Sequence, residues 1–565
     1  MKPSRETVDS RRSVLALALA LSALSVSAAG AEEEYVYKVT KGDTLIGLSG
    51  RLLNTSADWP RVARLNRLPN PNHIFPGAAL RIPFSLLKIT PVTATVTHIE
   101  GDVKATGGVQ QATPSVLVLG ASLAEGAQIV TGKNGYVTLK LQDGLTVRVQ
   151  SGTQVRLERM RTYAGVGLLE STMKLLAGRV ESLVRRSGEN TQTRHGVTTP
   201  LATLAVRGAE FRVTMDAQDN LTRGEVLDGV VEVAAETARA GAATGAKRLN
   251  AGFGGVIDAR KFVSDPILLL AAPDVSTLAK LQERTVLRFP LQAVAGARMY
   301  RAQVARDAQF NAVVAEQVSP VADLRVADVA DGSYFLRVRA VDVRGLEGRD
   351  STHAFTMKAR PQPPLISAPA PKGKVRAAEV EFKWAENTEA AAYHLQISKD
   401  ASFKSLAFED KAVKGAQTSV GQLALGDYFW RIASLRRDGD HGPYGDIASF
   451  ALLAPPAQPE PPAVGDARIA FRWAGEPGQK FEFQLADEIK FTQPLLVRTL
   501  DKPEFEAPRP KPGTYFIRYR ATDADGFVGP YSSVQTFAVP VPPACLTDSE
   551  GRCVSATHGI VGPLP

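Results

Sequence analysis

Three stretches in the second half of this chain repeat one another at nearly fixed spacing, and this constrains the fold more than anything else in the sequence. The segments LRF, FKW and FRW put Phe289, Trp384 and Trp473 in equivalent places. Next come MYRAQVARDAQF, AYHLQISKDASF and KFEFQLADEIKF, ending at Phe310, Phe403 and Phe491, and then GSYFLRVRAVDVRG, GDYFWRIASLRRDG and GTYFIRYRATDADG. The first two units are offset by 95, 93 and 94 residues at Trp384, Phe403 and Tyr428, and the last two by 89, 88 and 87. Within each unit apolar and polar residues alternate, as in Tyr428-Phe429-Trp430-Arg431-Ile432, which predicts half-buried strands. A unit of roughly 90 residues built this way predicts a seven-strand β-sandwich. We place the three sandwiches at 275–357, 374–453 and 464–539. Proline-rich stretches at Lys358–Pro371, Ala454–Pro462 and Pro540–Pro543 separate them, as extended spacers do.

The early-strand Trp, the Tyr of the G-x-Tyr-Phe strand and the ending GPY-S at Gly529–Ser532 make these units resemble fibronectin type III or related immunoglobulin-like domains. Core packing is the plain reading of Trp384, Trp473, Tyr428 and Tyr515, because large aromatics dominate sandwich cores. Such sandwiches host many functions, so the fold alone names none.

The start of the chain reads as an export signal. Arg5, Arg11 and Arg12 precede an apolar run from Val14 to Val26, followed by Ala28-Ala29-Gly30-Ala31 and three glutamates. That order predicts a signal peptide over residues 1–31, cleaved after Ala31. The Arg11-Arg12 pair also resembles a twin-arginine signal, so both that route and the general secretory route are open. No later segment is apolar over the 18 or so residues that a membrane helix needs.

Residues 35–84 predict a small β-α-α-β unit. Val36 and Val39 sit in a first strand. Asp43 is a candidate N-cap, and Leu45, Leu48 and Leu52 then share one helical face. Asp58 and Pro60 start a second helix, and Leu80-Arg81-Ile82-Pro83 form a last strand. This segment resembles the LysM family through Tyr37-Lys38-Val39, Gly42-Asp43-Thr44-Leu45, Leu65-Asn66, Asn70-Pro71-Asn72-His73-Ile74 and Pro76-Gly77. The resemblance implies binding of an N-acetylglucosamine-containing glycan such as peptidoglycan. It implies a shallow groove between two loops, with Gly42, Asp43, Thr44 and Leu45 on one side and Asn70, Pro71, Asn72, His73 and Ile74 on the other. Purely structural readings stand beside these: Asp43 as a cap, Leu45 as core, His73 as loop surface.

Between this unit and the repeats, residues 92–234 read as strand after strand with glycine turns. Gly135–Leu141 alternates, Leu145, Val147 and Val149 resume the alternation, and Gly152–Leu157 repeats it. Glu100-Gly101-Asp102-Val103, Leu123-Ala124-Glu125-Gly126, Thr131–Gly135, Thr199–Phe211 and Asp228-Gly229-Val230 make the segment resemble a FecR-type domain. That implies a β-rich periplasmic domain that meets an envelope protein. Residues 235–274 read as a linker.

The fold class expected is therefore multidomain and mainly β: a βααβ LysM module, a FecR-like β-domain and three sandwich repeats. A net charge of +9 favours anionic partners, yet no Lys/Arg tract interleaved with aromatics points to nucleic acid. Seven histidines lie scattered without metal-ligand spacing, and neither H-E-x-x-H nor G-x-S-x-G occurs. No metal, cofactor or catalytic residue is implied. Cys545 and Cys553, the only cysteines, read as one disulfide closing a short loop in the tail at 540–565. The leading expectation is a non-catalytic, peptidoglycan-binding protein of the periplasm or cell envelope with an envelope protein partner. A soluble FecR-like signalling component and a wall hydrolase with unrecognised catalytic residues are the alternatives.

Overall fold

The computed structural model describes residues 34–107, 114–141, 144–163, 167–184, 192–206, 208–236, 246–326, 329–541, 546–547 and 553–554. The export signal and Cys545 lie outside these residues. Cys553 lies in a short strand opposite Thr547. The chain divides into two compact units, residues 1–357 and 358–565.

The first unit opens with strand β1 (Glu34–Lys38), helix α1 (Leu45–Leu52), helix α2 (Trp59–Leu65) and strand β2 (Ala79–Pro83), in the β-α-α-β order expected from the sequence. The two strands pair antiparallel, Tyr37 opposite Leu80. Leu45, Leu48 and Leu52 all point inward, joined by Val62, Leu80 and Ile82. This core is not closed by the module alone. Tyr163 and Leu168, from two strands of the following domain, complete it. Phe84 packs edge-on against Tyr163, with ring centroids 5.1 Å apart. No linker intervenes, since Ile89–Pro91 already pairs with Arg161–Tyr163.

The β-rich domain has two sheets that close on one another. The sixteen-residue strand Leu168–Leu183 belongs to both. Its first part pairs with Gln154–Tyr163 and Gln192–Thr198. Its last part, from Gly178, pairs with Glu210–Asp216. Gly178 sits where the strand changes sheet. Its φ is +86°, and a Cβ there would fall 2.5 Å from the Thr153 Cα. The core between the sheets is almost wholly Val, Leu, Ile, Ala and Met, as the alternation predicted. His195 is also buried there, between the hydroxyls of Ser171 (2.9 Å) and Ser182 (3.0 Å). Burial lowers its pKa to about 4 and holds it neutral.

This domain starts earlier and ends later than expected. Ile89–Pro91 adds to one end. Lys247–Asn250 and Phe253–Ile257, in the stretch read as a linker, are strands paired with Val230–Val233 and Thr222–Glu225. Gly254 and Gly255 hid the alternation. Their missing side chains let Leu269 and Leu249 lie within 3.0–3.3 Å of the Cβ positions.

The first sandwich docks on this domain through a buried polar seam. Arg337 donates to Glu181 and to Gln303. Arg339 meets Glu347 at 2.7 Å, Asp350 at 2.6 Å and Glu181 at 2.7 Å. Arg212 donates to the carbonyls of Glu347 and Gly348 at 2.8 and 2.7 Å. Gln303 donates to Gln150 at 2.7 Å. Charges this deep persist only when paired and hydrogen-bonded.

The second unit holds the other two sandwiches. In residues 366–453 the sheet Ile366–Ala368, Glu379–Trp384, Gln417–Gly421 faces a sheet of five neighbouring strands with a sixth, His441–Tyr444, paired alongside. The first strand begins inside the stretch read as a proline spacer. The last sandwich has seven strands, in sheets of three and four. Trp384, Trp473, Tyr428 and Tyr515 are all buried, and the two tyrosine hydroxyls donate to carbonyls four residues upstream, as in a tyrosine corner. The recurring Phe310, Phe403 and Phe491 share a left-handed φ of 57, 54 and 53°. Each lies 4.2–4.4 Å from the guanidinium of Arg337, Arg431 or Arg518.

Candidate functional site

The loop after β1 and the loop before β2 leave the same end of the small hairpin. Val39 N–H donates to the Ala78 carbonyl at 2.9 Å, and Gly77 N–H donates to the Val39 carbonyl at 2.7 Å. Both arms of the expected groove are therefore anchored to one rigid base.

In the first arm Gly42 turns the chain with φ +94°. The cap of α1 is Thr44, whose hydroxyl accepts from Gly47 N–H at 3.1 Å. Asp43, expected as the cap, does something else. One of its oxygens accepts from Thr40 N–H at 2.7 Å and from the hydroxyls of Thr40 and Tyr37, both at 2.8 Å. The other accepts from Arg51 at 2.8 Å. The capping role falls one residue later because Thr44 has the extended backbone a cap requires. The Thr40 amide, with help from the Thr40, Tyr37 and Arg51 side chains, pulls the Asp43 carboxyl down to about 2. Leu45 is only 1 % exposed, so its side chain supports the loop and does not line a groove.

In the second arm Asn70 makes a tight turn. Its side-chain oxygen accepts from Asn72 N–H at 2.9 Å, and its carbonyl accepts from His73 N–H at 3.0 Å. Asn72 and His73 are exposed, Pro71 and Ile74 half-buried, and Ile74 packs against the module core. Thr44 and Gly42 are exposed on the facing arm. The structure thus leaves Gly42, Thr44, Asn70, Asn72 and His73 open to solvent, with Asp43 as the organiser behind them.

Two exposed apolar residues escaped the sequence reading. Phe75, 70 % exposed, lies edge-on to His73 with centroids 6.1 Å apart. Ile46 is 59 % exposed. An apolar residue off the Leu45-Leu48-Leu52 face was a readable signal for Ile46. Asn66 proves structural: its amide donates to the Arg81 and Val62 carbonyls at 2.6 and 2.8 Å and accepts from Arg81 N–H at 2.7 Å, locking α2 to β2.

Replacing Asp43 with Asn should destabilise the module by about 1–2 kcal/mol, because an amide cannot accept from Arg51 and from the other three donors together. The wild-type contribution should be complete above pH 4 and lost as pH falls through about 2, since the folded pKa lies below the unfolded one. Thermal melts of both proteins at pH 7 and pH 2 check this: a difference at pH 7 that shrinks at pH 2.

The fold is multidomain and mainly β, with a small β-α-α-β module at its start. Residues 37–83 match the LysM domain family, and residues 127–232 match the FecR protein family. The chain therefore carries a LysM domain and a FecR-type domain, both of non-catalytic families. Among solved structures it is similar to a putative anti-sigma factor from Parabacteroides distasonis, at 22 % identity over 25 % of this chain and 59 % of that one, TM-score 0.20. The chain thus spans little more than half of that protein. It is also similar to the chicken CNTN1 FN1-FN3 domains (12 % identity, 48 % of this chain, 98 % of that, TM-score 0.20). A two-domain fibronectin type III segment of chicken tenascin matches at 13 % identity over 32 % of this chain and 99 % of that, TM-score 0.17. No match was found among curated proteins. No helix among the described residues is long and apolar enough to cross a membrane.

Proposed function

We propose that this protein is a non-catalytic peptidoglycan-binding adaptor of the cell envelope. The observation that carries the reading is the complete LysM module, whose two loops are tied to one base and present Gly42, Thr44, Asn70, Asn72 and His73 to solvent. An acetamido sugar needs a donor, an acceptor and an apolar surface. The asparagine amides and loop backbone supply the first two, and Phe75 or Ile46 the third. The FecR-type domain then meets an envelope protein through surface that the first sandwich leaves open. A soluble signalling role is the second reading, and the FecR family match favours it. The export signal with cleavage after Ala31 and the Cys545–Cys553 disulfide belong to the same proposal, since both suit an oxidising compartment outside the cytoplasm.

Calorimetric titration of the mature chain with N-acetylglucosamine oligomers tests the reading. Asn72→Ala and Phe75→Ala should each weaken binding by about tenfold or more, as expected for one lost polar or aromatic contact, with melting unchanged. Wild-type affinity in both variants would remove these loops as the site.

A further inference from the structure

We infer that the last sandwich carries an interface with a second copy of this chain, formed when the edge strand Leu496–Leu500 pairs antiparallel with itself across a two-fold axis. In each sandwich the strand that follows the left-handed phenylalanine, Phe310, Phe403 or Phe491, lies at the edge of its sheet. These strands are Val313–Ser319, Leu406–Val413 and Leu496–Leu500. Among the described residues each pairs with one neighbouring strand only. The outer side of such a strand offers a row of unpaired backbone N–H and C=O groups, a template for another strand.

The first two edges are guarded, each in its own way. Val313–Ser319 lies under the FecR-type domain, where Glu316 meets Arg179 at 2.8 Å, and its ladder shifts register between Val304 and Ala305. Leu406–Val413 carries Glu409, Asp410 and Lys411 in a row, and its ladder shifts register twice. Cover, charge and bulges are the devices that keep strand edges apart. Leu496–Leu500 has no acidic residue, and it pairs with Phe481–Leu485 without a shift. Val497 stands six residues after Phe491, where the other two repeats have Glu316 and Glu409. Leu496 and Leu500 turn in against the core. Leu495 and Val497 are 55 % and 46 % exposed, and Arg498 is the one charge on the strand.

The strand also fits itself. Antiparallel pairing about Val497 sets Leu496 opposite Arg498 of the second copy and Leu495 opposite Thr499, so no two like charges meet. The Val497 carbonyl accepts from the Arg498 side chain at 3.4 Å, a long bond that a backbone amide of the second copy replaces. A two-fold contact is self-complementary and closes at the dimer. It merges two four-stranded sheets into one continuous sheet. One strand pair buries less than about 1,200 Å2, the lower bound of a stable interface, so the dimer is weak and reversible.

The test is sedimentation equilibrium of the mature chain, with reductant present so that Cys545 and Cys553 cannot link two chains. The dimer fraction should rise reversibly between about 1 and about 200 µM protein, a span that brackets weak association. Val497→Lys and Val497→Glu should each lose the dimer, because the two-fold axis sets like charges face to face. An equal mixture of the two variants should recover it. Leu406→Lys, on the guarded edge of the middle sandwich, should dimerise as the wild type does. Val497 is exposed, so both of its variants should melt like the wild type. Two-fold pairing through this strand is overturned if the wild type stays monomeric across that span, or if Val497→Lys dimerises as the wild type does. A mixture of the two Val497 variants that stays monomeric also overturns it.

Discussion

Arg339→Ala is expected to destabilise the first compact unit by about 3–5 kcal/mol, the largest effect of any single change considered. The side chain is 3 % exposed and faces three carboxylates, those of Glu181, Glu347 and Asp350. Two belong to the sandwich and one to the FecR-type domain, so the guanidinium ties the two domains together. Truncation would leave three negative groups buried with less positive charge beside them, and each would have to be protonated or exposed. Their partners Arg337, Arg301 and Arg212 relieve part of this, which keeps the loss within that range. Arg339→Lys should recover only part of the stability, because one compact ammonium cannot reach three carboxylates that each face a different nitrogen of the planar guanidinium. Arg325→Ala is the contrast: its pair with Asp323, at 3.5 Å with an arginine 67 % exposed, is screened by solvent, so its loss should leave stability nearly unchanged. Denaturant unfolding of the three proteins gives the comparison. An Arg339→Ala loss below 1 kcal/mol would contradict a seam held by paired buried charge.

The second large effect is expected outside the LysM motif. Leu168→Ala should cost about 2–5 kcal/mol, the range for a buried leucine truncated to alanine. Leu168 belongs to the FecR-type domain by sequence, yet its side chain, 2 % exposed, sits in the same core as Leu45, Leu48 and Leu80. The cavity would open at the base of the LysM module, so the proposed glycan binding should weaken together with stability. Leu204→Ala, in the core between the two sheets of the FecR-type domain, should lower stability and leave glycan affinity unchanged while the protein is folded. Melting curves and oligosaccharide titration on both variants distinguish the two. Equal glycan affinity in wild type and Leu168→Ala would show that the module stands alone.

Much of this architecture was legible because it is written in period. The three sandwiches follow from anchors at one offset, and strands such as Gly513–Thr522 follow from alternation. What sequence could not give lies where side chains from distant segments meet. Lys247–Ile257 hid as a linker because Gly254 and Gly255 replace the apolar residues that mark a strand. Asp43 resembled a cap because it precedes a helix, and only the positions of Thr40, Tyr37 and Arg51 show its actual work. Arg301 and Arg339 are polar members of alternating strands, and nothing local in the sequence signals a second domain covering them. His394 and His441 lie far apart along the chain, and only strand pairing brings their ring nitrogens to 2.9 Å. At the two LysM loops the candidates came from resemblance; in the structure Asn72, His73 and Phe75 are exposed and Leu45 is buried.

Sedimentation of the mature chain with purified insoluble peptidoglycan tests the central claim most directly, comparing wild type with an Asn72→Ala/His73→Ala/Phe75→Ala variant. All three residues are exposed, so the variant should melt like the wild type. The account predicts that the wild type moves to the pellet and the variant stays in solution. A folded variant that pellets as completely as the wild type would contradict it.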